Sequence, residues 1–189
     1  MIRGQGSCVI CRLLGLSFVV IVLAGCASPA RVEGMIAGDA IVEAEVPAAL
    51  RESIRVTSVV GGDKTNPLWT SEISSEGFRL ALEDSLRAAG LLSKPPSGGA
   101  YELEVSIIEV NQPMIGFDIT VTTMARYVLV DSISRKSVFE QEISASHTAT
   151  VKDAFYGVER LRLANEGAAR KNIESFISQV RRLEPTGDR

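Results

Sequence analysis

Tyr101-Glu102-Leu103-Glu104-Val105-Ser106-Ile107 alternates apolar and polar side chains at every step. Successive side chains on a strand point to opposite faces. This period of two therefore sets Tyr101, Leu103, Val105 and Ile107 on one face and two glutamates and a serine on the other, as in a half-buried strand. The pattern recurs downstream. Asn111-Gln112-Pro113 ends the run, and Phe117, Ile119 and Val121 then alternate with Asp118, Thr120 and Thr122 on a strand extending to Val130. Ser132 to Ser137 makes a polar turn, after which Phe139, Ile143, Ala145 and Ala149 alternate with Glu140, Glu142, Ser144 and Ser146. Three consecutive strands with short polar breaks predict an antiparallel meander with one wet face.

Upstream, Ile54, Val56 and Val60 keep the same period in a β-branched stretch, which predicts a further strand ended by Gly61-Gly62-Asp63. Between it and Tyr101 the period changes. Phe78, Ala81, Leu82, Ser85, Leu86 and Ala89 recur at helical spacing, with Ser74 or Ser75 placed to cap the start and Gly90 to end it. Lys94 to Gly99 is a turn-rich connector. After the meander, Gly157 to Leu183 carries a second helical stripe (Ile173, Phe176, Ile177, Val180, Leu183), with Pro185 just beyond. The order β-α-β-β-β-α predicts an α+β domain: an antiparallel sheet of about four strands with two helices on one face.

The first 25 residues are unlike this domain. Arg3 and Arg12 are their only charges, and Leu13 to Ala24 form an apolar run broken by Gly15 and Ser17. A positive start, a short apolar stretch and small residues form the layout of a secretory signal. The run is shorter than the roughly 20 residues a membrane-spanning helix needs. It ends Leu23-Ala24-Gly25-Cys26, which resembles the bacterial lipobox. That resemblance implies a diacylglycerol joined to the Cys26 thiol, cleavage before it, and acylation (palmitate or a similar chain) of the new amine. Two or three acyl chains anchor stably where one holds only marginally. Ala27-Ser28 follow in place of the aspartate that resembles an inner-membrane retention mark, which points to the periplasmic side of the outer membrane. The expected organisation is a signal over 1–25, a lipidated cysteine and tether over 26–48, the α+β domain over 49–184 and a tail over 185–189.

Cys8 and Cys11 fall in the discarded segment and Cys26 is taken up by lipid, so the mature domain is left without a free thiol or a disulfide. Removal of Arg3 and Arg12 leaves 18 basic against 23 acidic residues, a net charge of −5. A mildly acidic domain argues against nucleic-acid binding.

Three blocks carry a further resemblance: Asn66-Pro67-Leu68-Trp69-Thr70-Ser71, Phe78 to Leu92, and Ala164-Asn165-Glu166-Gly167-Ala168-Ala169-Arg170-Lys171-Asn172-Ile173. Behind a lipobox and in this element order, residues 50 to 183 resemble the small YajG-like lipoproteins and, more loosely, the LptE-like envelope assembly lipoproteins, among uncharacterised proteobacterial lipoproteins. YajG-like proteins have no assigned chemistry. Some similar chains carry an acyltransferase name, but the hexapeptide repeats that build such a β-helix are absent.

Residues that could carry chemistry are sparse. His147 is the only histidine and falls in phase with Phe139, Ile143 and Ala145, as a half-buried strand residue would. With one histidine and no free thiol, zinc would need an all-carboxylate shell, which it seldom uses; no metal and no cofactor is expected. Gly61-Gly62-Asp63-Lys64-Thr65 lacks the spacing of a phosphate loop, and no G-x-S-x-G occurs. Glu102 with Glu104, and Glu140 with Glu142, share strand faces; paired carboxylates serve acid–base chemistry, but a solvated sheet face also needs charge. Pro67, Leu68 and Trp69 make a partner-facing anchor or fold back over the sheet. Asn165-Glu166-Gly167 sets a glycine inside a helical pattern, a kink or a close contact against plain core packing. Arg170-Lys171 and Arg181-Arg182 read as a solvated helix face or a contact for anionic lipid.

The chain therefore reads as a non-enzymatic, membrane-anchored accessory or binding module meeting an envelope protein or a lipid-linked glycan, in outer-membrane assembly or maintenance. A lipid-handling subunit of a transport complex and a carboxylate-based envelope hydrolase or transferase are the alternatives.

Overall fold

A computed structural model of the chain describes residues 28–38, 41, 45–62, 72–95, 98–113 and 116–183. The signal expected over 1–25, Cys26, the Pro67-Leu68-Trp69 segment and the tail expected over 185–189 lie outside the described residues.

The alternating stretches form the expected meander. β2 (Tyr101–Asn111), β3 (Ile119–Asp131) and β4 (Ser137–Ala149) pair antiparallel, with Leu103 opposite Leu129 and Leu129 opposite Phe139. The turn between β3 and β4 is held by Asp131, whose carboxylate accepts from the backbone N–H groups of Ile133 and Ser134. β1 (Ile54–Val60) lies at the other edge, giving the order β1-β2-β3-β4. It runs parallel to β2, with Ile54 opposite Tyr101. The sheet is therefore mixed, where the sequence pattern alone predicts all strands antiparallel. The reason is the connection: a helical crossover returns the chain to the starting end of the sheet, so the next strand runs the same way.

That crossover is α2 (Ser75–Ala88). Ser74 caps it, its hydroxyl accepting from the Gly77 N–H at 3.0 Å, and Gly90 ends the turn at φ +71°. α3 (Gly157–Val180) is the long C-terminal helix. Both pack on the sheet face carrying Leu103, Val105, Tyr127, Leu129, Phe139 and Ile143. Phe78, Leu82, Leu86, Ile173, Phe176, Ile177 and Val180 complete that core. Phe176 stacks on the Tyr127 ring at 4.3 Å and meets Phe139 edge-on at 5.8 Å. A smaller cluster of Ile119, Val121, Ala149, Leu161, Ala164 and Ala168 extends the core toward the start of α3.

Residues 28–38, assigned by composition to a tether, are folded onto the domain. A four-residue helix, α1 (Val32–Met35), lies against α2 and α3, with Met35 fully buried. Ala37 N–H donates to Ser85 Oγ at 2.9 Å and Gly38 N–H to Glu174 Oε1 at 3.0 Å. Ile41 and Leu50 are buried as well. The stretch has no sustained apolar period, yet Met35 and Ala37, with Ala30, Val32 and Ile36 partly buried beside them, bind it to the core.

Candidate functional site

The densest polar construction lies where α1 crosses α3. Glu166 and Arg162 are buried in the N-terminal half of α3. One turn apart, they form an ion pair of 2.6 Å, and Arg162 also reaches the exposed Glu159 at 3.0 Å. Glu166 Oε1 accepts a second bond, from the backbone N–H of Arg31 at 2.9 Å. Gly34 is pressed against the same carboxylate: a Cβ at that position would stand 2.3 Å from Glu166 Oε2. Glu166 thus ties the N-terminal segment to the C-terminal helix, and only a glycine fits over it. Beside it, Asn165 Oδ1 accepts from Gln112 Nε2, and Gln112 also donates to Glu72.

Gly167 explains the notch. A Cβ there would lie 2.0 Å from Cδ2 of His147, so the imidazole of β4 occupies the space a side chain would need. The close-contact reading of Asn165-Glu166-Gly167 therefore holds. His147 is half-buried, and burial, followed by the nearby Lys171 and Arg170, holds its imidazole below the ordinary histidine range, with Asp153 acting in the opposite sense. Gly34, His147, Asp153, Glu166, Gly167 and Arg170 line a recess of about 140 Å³, with Ala149 and Leu163. That is far below the 300–1,000 Å³ of typical ligand pockets. Gly167→Ala is expected to destabilise the protein by about 1 kcal/mol, overpacking outweighing the helix propensity gained. In a His147→Ala background the same substitution becomes stabilising. Thermal melts of the four proteins read the reversal, and one sign in both backgrounds would rule out the contact.

Deeper under α3, Asn172 is fully buried and organises the sheet beneath it. Its Nδ2 donates to the carbonyls of Thr123 (3.0 Å) and Ile143 (2.7 Å), and its Oδ1 accepts from the Tyr127 hydroxyl at 2.7 Å. Burial pushes the Tyr127 phenol well above its ordinary pKa, so it stays a neutral donor. The backbone partners make this a helix-to-sheet fastener.

The paired carboxylates stand on the open face of the sheet. Glu102 bridges Arg55 (2.7 Å) and Arg135 (2.5 Å), and these guanidiniums, Arg135 first, hold it below the usual carboxylate range. An ionised, doubly paired carboxylate is a poor general acid. Glu104 points to solvent, and Glu140 pairs with Arg126. Thr120 with Thr148, and Thr122 with Ser146, join hydroxyls across β3 and β4 at 2.8 Å. This face is the wet side the alternation predicts. Of the basic pairs on α3, Arg181 donates to the Ala89 carbonyl at 3.1 Å and Lys171 to the Ser146 carbonyl at 3.2 Å, so both serve the fold.

Pro67, Leu68 and Trp69 lie outside the described residues, but their flanks are placed. Gly62 N–H donates to Ser75 Oγ, and the Glu72 carbonyl accepts from Ala30 N–H. Both flanks stand where β1 and β2 end, beside the entry of the N-terminal segment. No group of three or more His, Cys, Asp or Glu side chains arranged to hold a metal occurs among the described residues, and no helix among them is long and apolar enough to cross a membrane.

No protein-family model and no curated protein matches this chain. Solved structures share its architecture. Protein XCC0632 from Xanthomonas campestris, of the DUF330 family, superposes with a TM-score of 0.52 at 9% identity, covering 74% of this chain and 90% of its own. CT253 from Chlamydia trachomatis gives 0.51 at 8% identity, covering 69% and 96%. A chain from Caulobacter crescentus described as a lipoprotein gives 0.48 at 18% identity, covering 70% and 90%. At 9% and 8% identity, what the Xanthomonas and Chlamydia proteins share with this chain is the fold.

Proposed function

We propose that this chain is a lipid-anchored, non-enzymatic binding module of the bacterial outer membrane, exported by residues 1–25, acylated at Cys26 and facing the periplasm. The observation that carries the binding role is the open side of the sheet. Among the described residues the helices occupy one face, while the other presents Glu104, Arg126, Glu140, Glu142, Ser144 and Thr148 to solvent. β4, 13 residues long, has β3 as its one strand neighbour among the described residues. An extended segment of a partner can add to such an edge through main-chain hydrogen bonds. The doubly paired Glu102 favours this reading over an enzyme built on that carboxylate. An envelope protein is the expected partner, with a lipid-linked glycan as the second candidate, and Trp69 remains a proposed contact.

The test is a pull-down of tagged, full-length protein from detergent-solubilised envelopes, run beside Trp69→Ala and Ser144→Lys. A protein lost from one variant supports the module and places its contact on the loop or on the β4 edge. Retention of neither protein nor glycan overturns the reading. So does substrate turnover by the purified protein that a point mutant abolishes.

A further inference from the structure

We infer that the end of the domain where β1 and β2 finish and β3 begins is a membrane-seating surface, and that Phe117, Phe155 and Tyr156 enter the interfacial layer of the same bilayer that holds Cys26. This rests on the lipid anchor proposed above.

Eight aromatic residues are described, and five of them (Phe78, Tyr101, Tyr127, Phe139 and Phe176) are buried. The other three are strongly exposed, Phe117 at 86%, Phe155 at 84% and Tyr156 at 72%, and all three stand at one end of the sheet. The register shows it. Ile119 is opposite Ala149, so Phe117, two residues before Ile119, and Val151, two residues after Ala149, leave the β3–β4 pair side by side. Phe155 and Tyr156 follow from Val151 into α3, their rings 5.5 Å apart and nearly perpendicular. Isolated exposed apolar residues are ordinary; gathering every exposed aromatic among the described residues at one end is the arrangement of an interaction surface.

The rings are held outward by a built loop. Arg160, only 8% exposed, turns its guanidinium back to donate to the carbonyls of Ala154 (2.9 Å) and Phe155 (2.6 Å). Asp153 closes the preceding turn by accepting from the Thr150 N–H and hydroxyl. Fixing the backbone while the side chains face water cuts the entropy cost of inserting them elsewhere.

The occupant follows from where the anchored chain arrives. Arg31 is bonded to Glu166, and from there the chain runs along α3 to Gly38 beside Glu174, away from the aromatic end. Upstream residues therefore approach from the aromatic end, where Ala30 is bonded to Glu72, which meets Gln112 just past β2. Arg31 lies five positions after Cys26, a span of at most about 18 Å. Glu166 is itself about 13 Å along α3 from its first residue. A lipid on Cys26 thus draws this end of the domain to the bilayer surface with no slack to lift it clear. Phe and Tyr, apolar rings with (for Tyr) a polar tip, suit the headgroup boundary, and a second weak membrane contact adds to an acyl anchor.

The experiment uses full-length protein reconstituted in vesicles of phosphatidylethanolamine and phosphatidylglycerol. With Cys26 acylated, one introduced cysteine is the only thiol of the processed chain, and it carries an environment-sensitive dye at Val151→Cys or, at the far end, at Ile133→Cys. The expected result is blue-shifted emission, quenched by nitroxide lipids, at position 151 and aqueous emission at 133. Adding Phe155→Ser and Tyr156→Ser should return the 151 signal to the aqueous value while the protein still floats with the vesicles. An aqueous signal at 151, a lipid signal at 133, or a 151 signal indifferent to the double substitution would overturn the inference. Failure of the anchor itself shows separately, as an unmodified Cys26 by mass and protein left behind on flotation.

Discussion

Phe176→Ala should cost about 4 kcal/mol of folding stability, the range for truncating a buried phenylalanine in a core. Phe176 is fully buried, lies flat on Tyr127 and meets the edge of Phe139. It stands where α3 crosses the middle of the sheet, so alanine leaves a void bounded by two rings and by the backbone of β3 and β4. Tyr127 cannot collapse into that void, because its hydroxyl is committed to Asn172, itself held by two sheet carbonyls. The aromatic contacts add about 1 kcal/mol to the area lost. For a domain of this size the melting temperature should fall by roughly 8–16 °C. Urea titration gives the energy directly, and a loss under about 1.5 kcal/mol would mean that the site relaxes and that the Tyr127–Asn172 fastener does not hold the ring.

Glu166→Ala is the second large effect, about 3 kcal/mol, the low end of the range for removing one member of a buried ion pair. Arg162 is left buried with only the exposed Glu159 as a partner, which keeps the loss from being larger. The substitution has a local signature that a general destabilisation lacks. It removes the acceptor for the Arg31 N–H and the surface against which Gly34 rests. Residues 28–38 should then come away before the rest unfolds. Hydrogen exchange at Arg31, Gly34 and Ala37 should speed up by more than it does across β2 and β3. Replacing Arg162 by methionine in the same chain should recover part of the loss, since the uncompensated charge is then gone. Uniform acceleration across the domain would show that the segment is not held through Glu166.

The sheet and helices were legible because each has a repeating signal. Tyr101 to Ile107 states its own buried face, and Phe78 to Ala89 its helical stripe. The parallel pairing of β1 was not legible in the alternation of Ile54, Val56 and Val60, which fixes a face and leaves the neighbour open; the intervening helix was the informative feature. The folding-back of residues 28–38 was hidden for a different reason. One buried Met35 in a four-residue helix has no period, and Glu166, the acceptor for the Arg31 N–H, reads in sequence as one more charge on a helix. Gly167 was visible as an anomaly, but His147, which fills its space, is 20 residues away on another element. The exposed Phe117 reads in sequence as one more apolar strand position, since alternation does not report which way a ring faces.

The bond between Arg31 and Glu166 joins positions 135 residues apart in the chain. A ribosome makes the first of these long before the second. The earliest segment of the domain can meet α2 early, but it lacks its Glu166 acceptor until α3 has followed it. Closing so long a loop is slow, and the partly assembled sheet stays open meanwhile. The chain carries its own delay: its first segment is locked in place only when its C-terminal helix has been made.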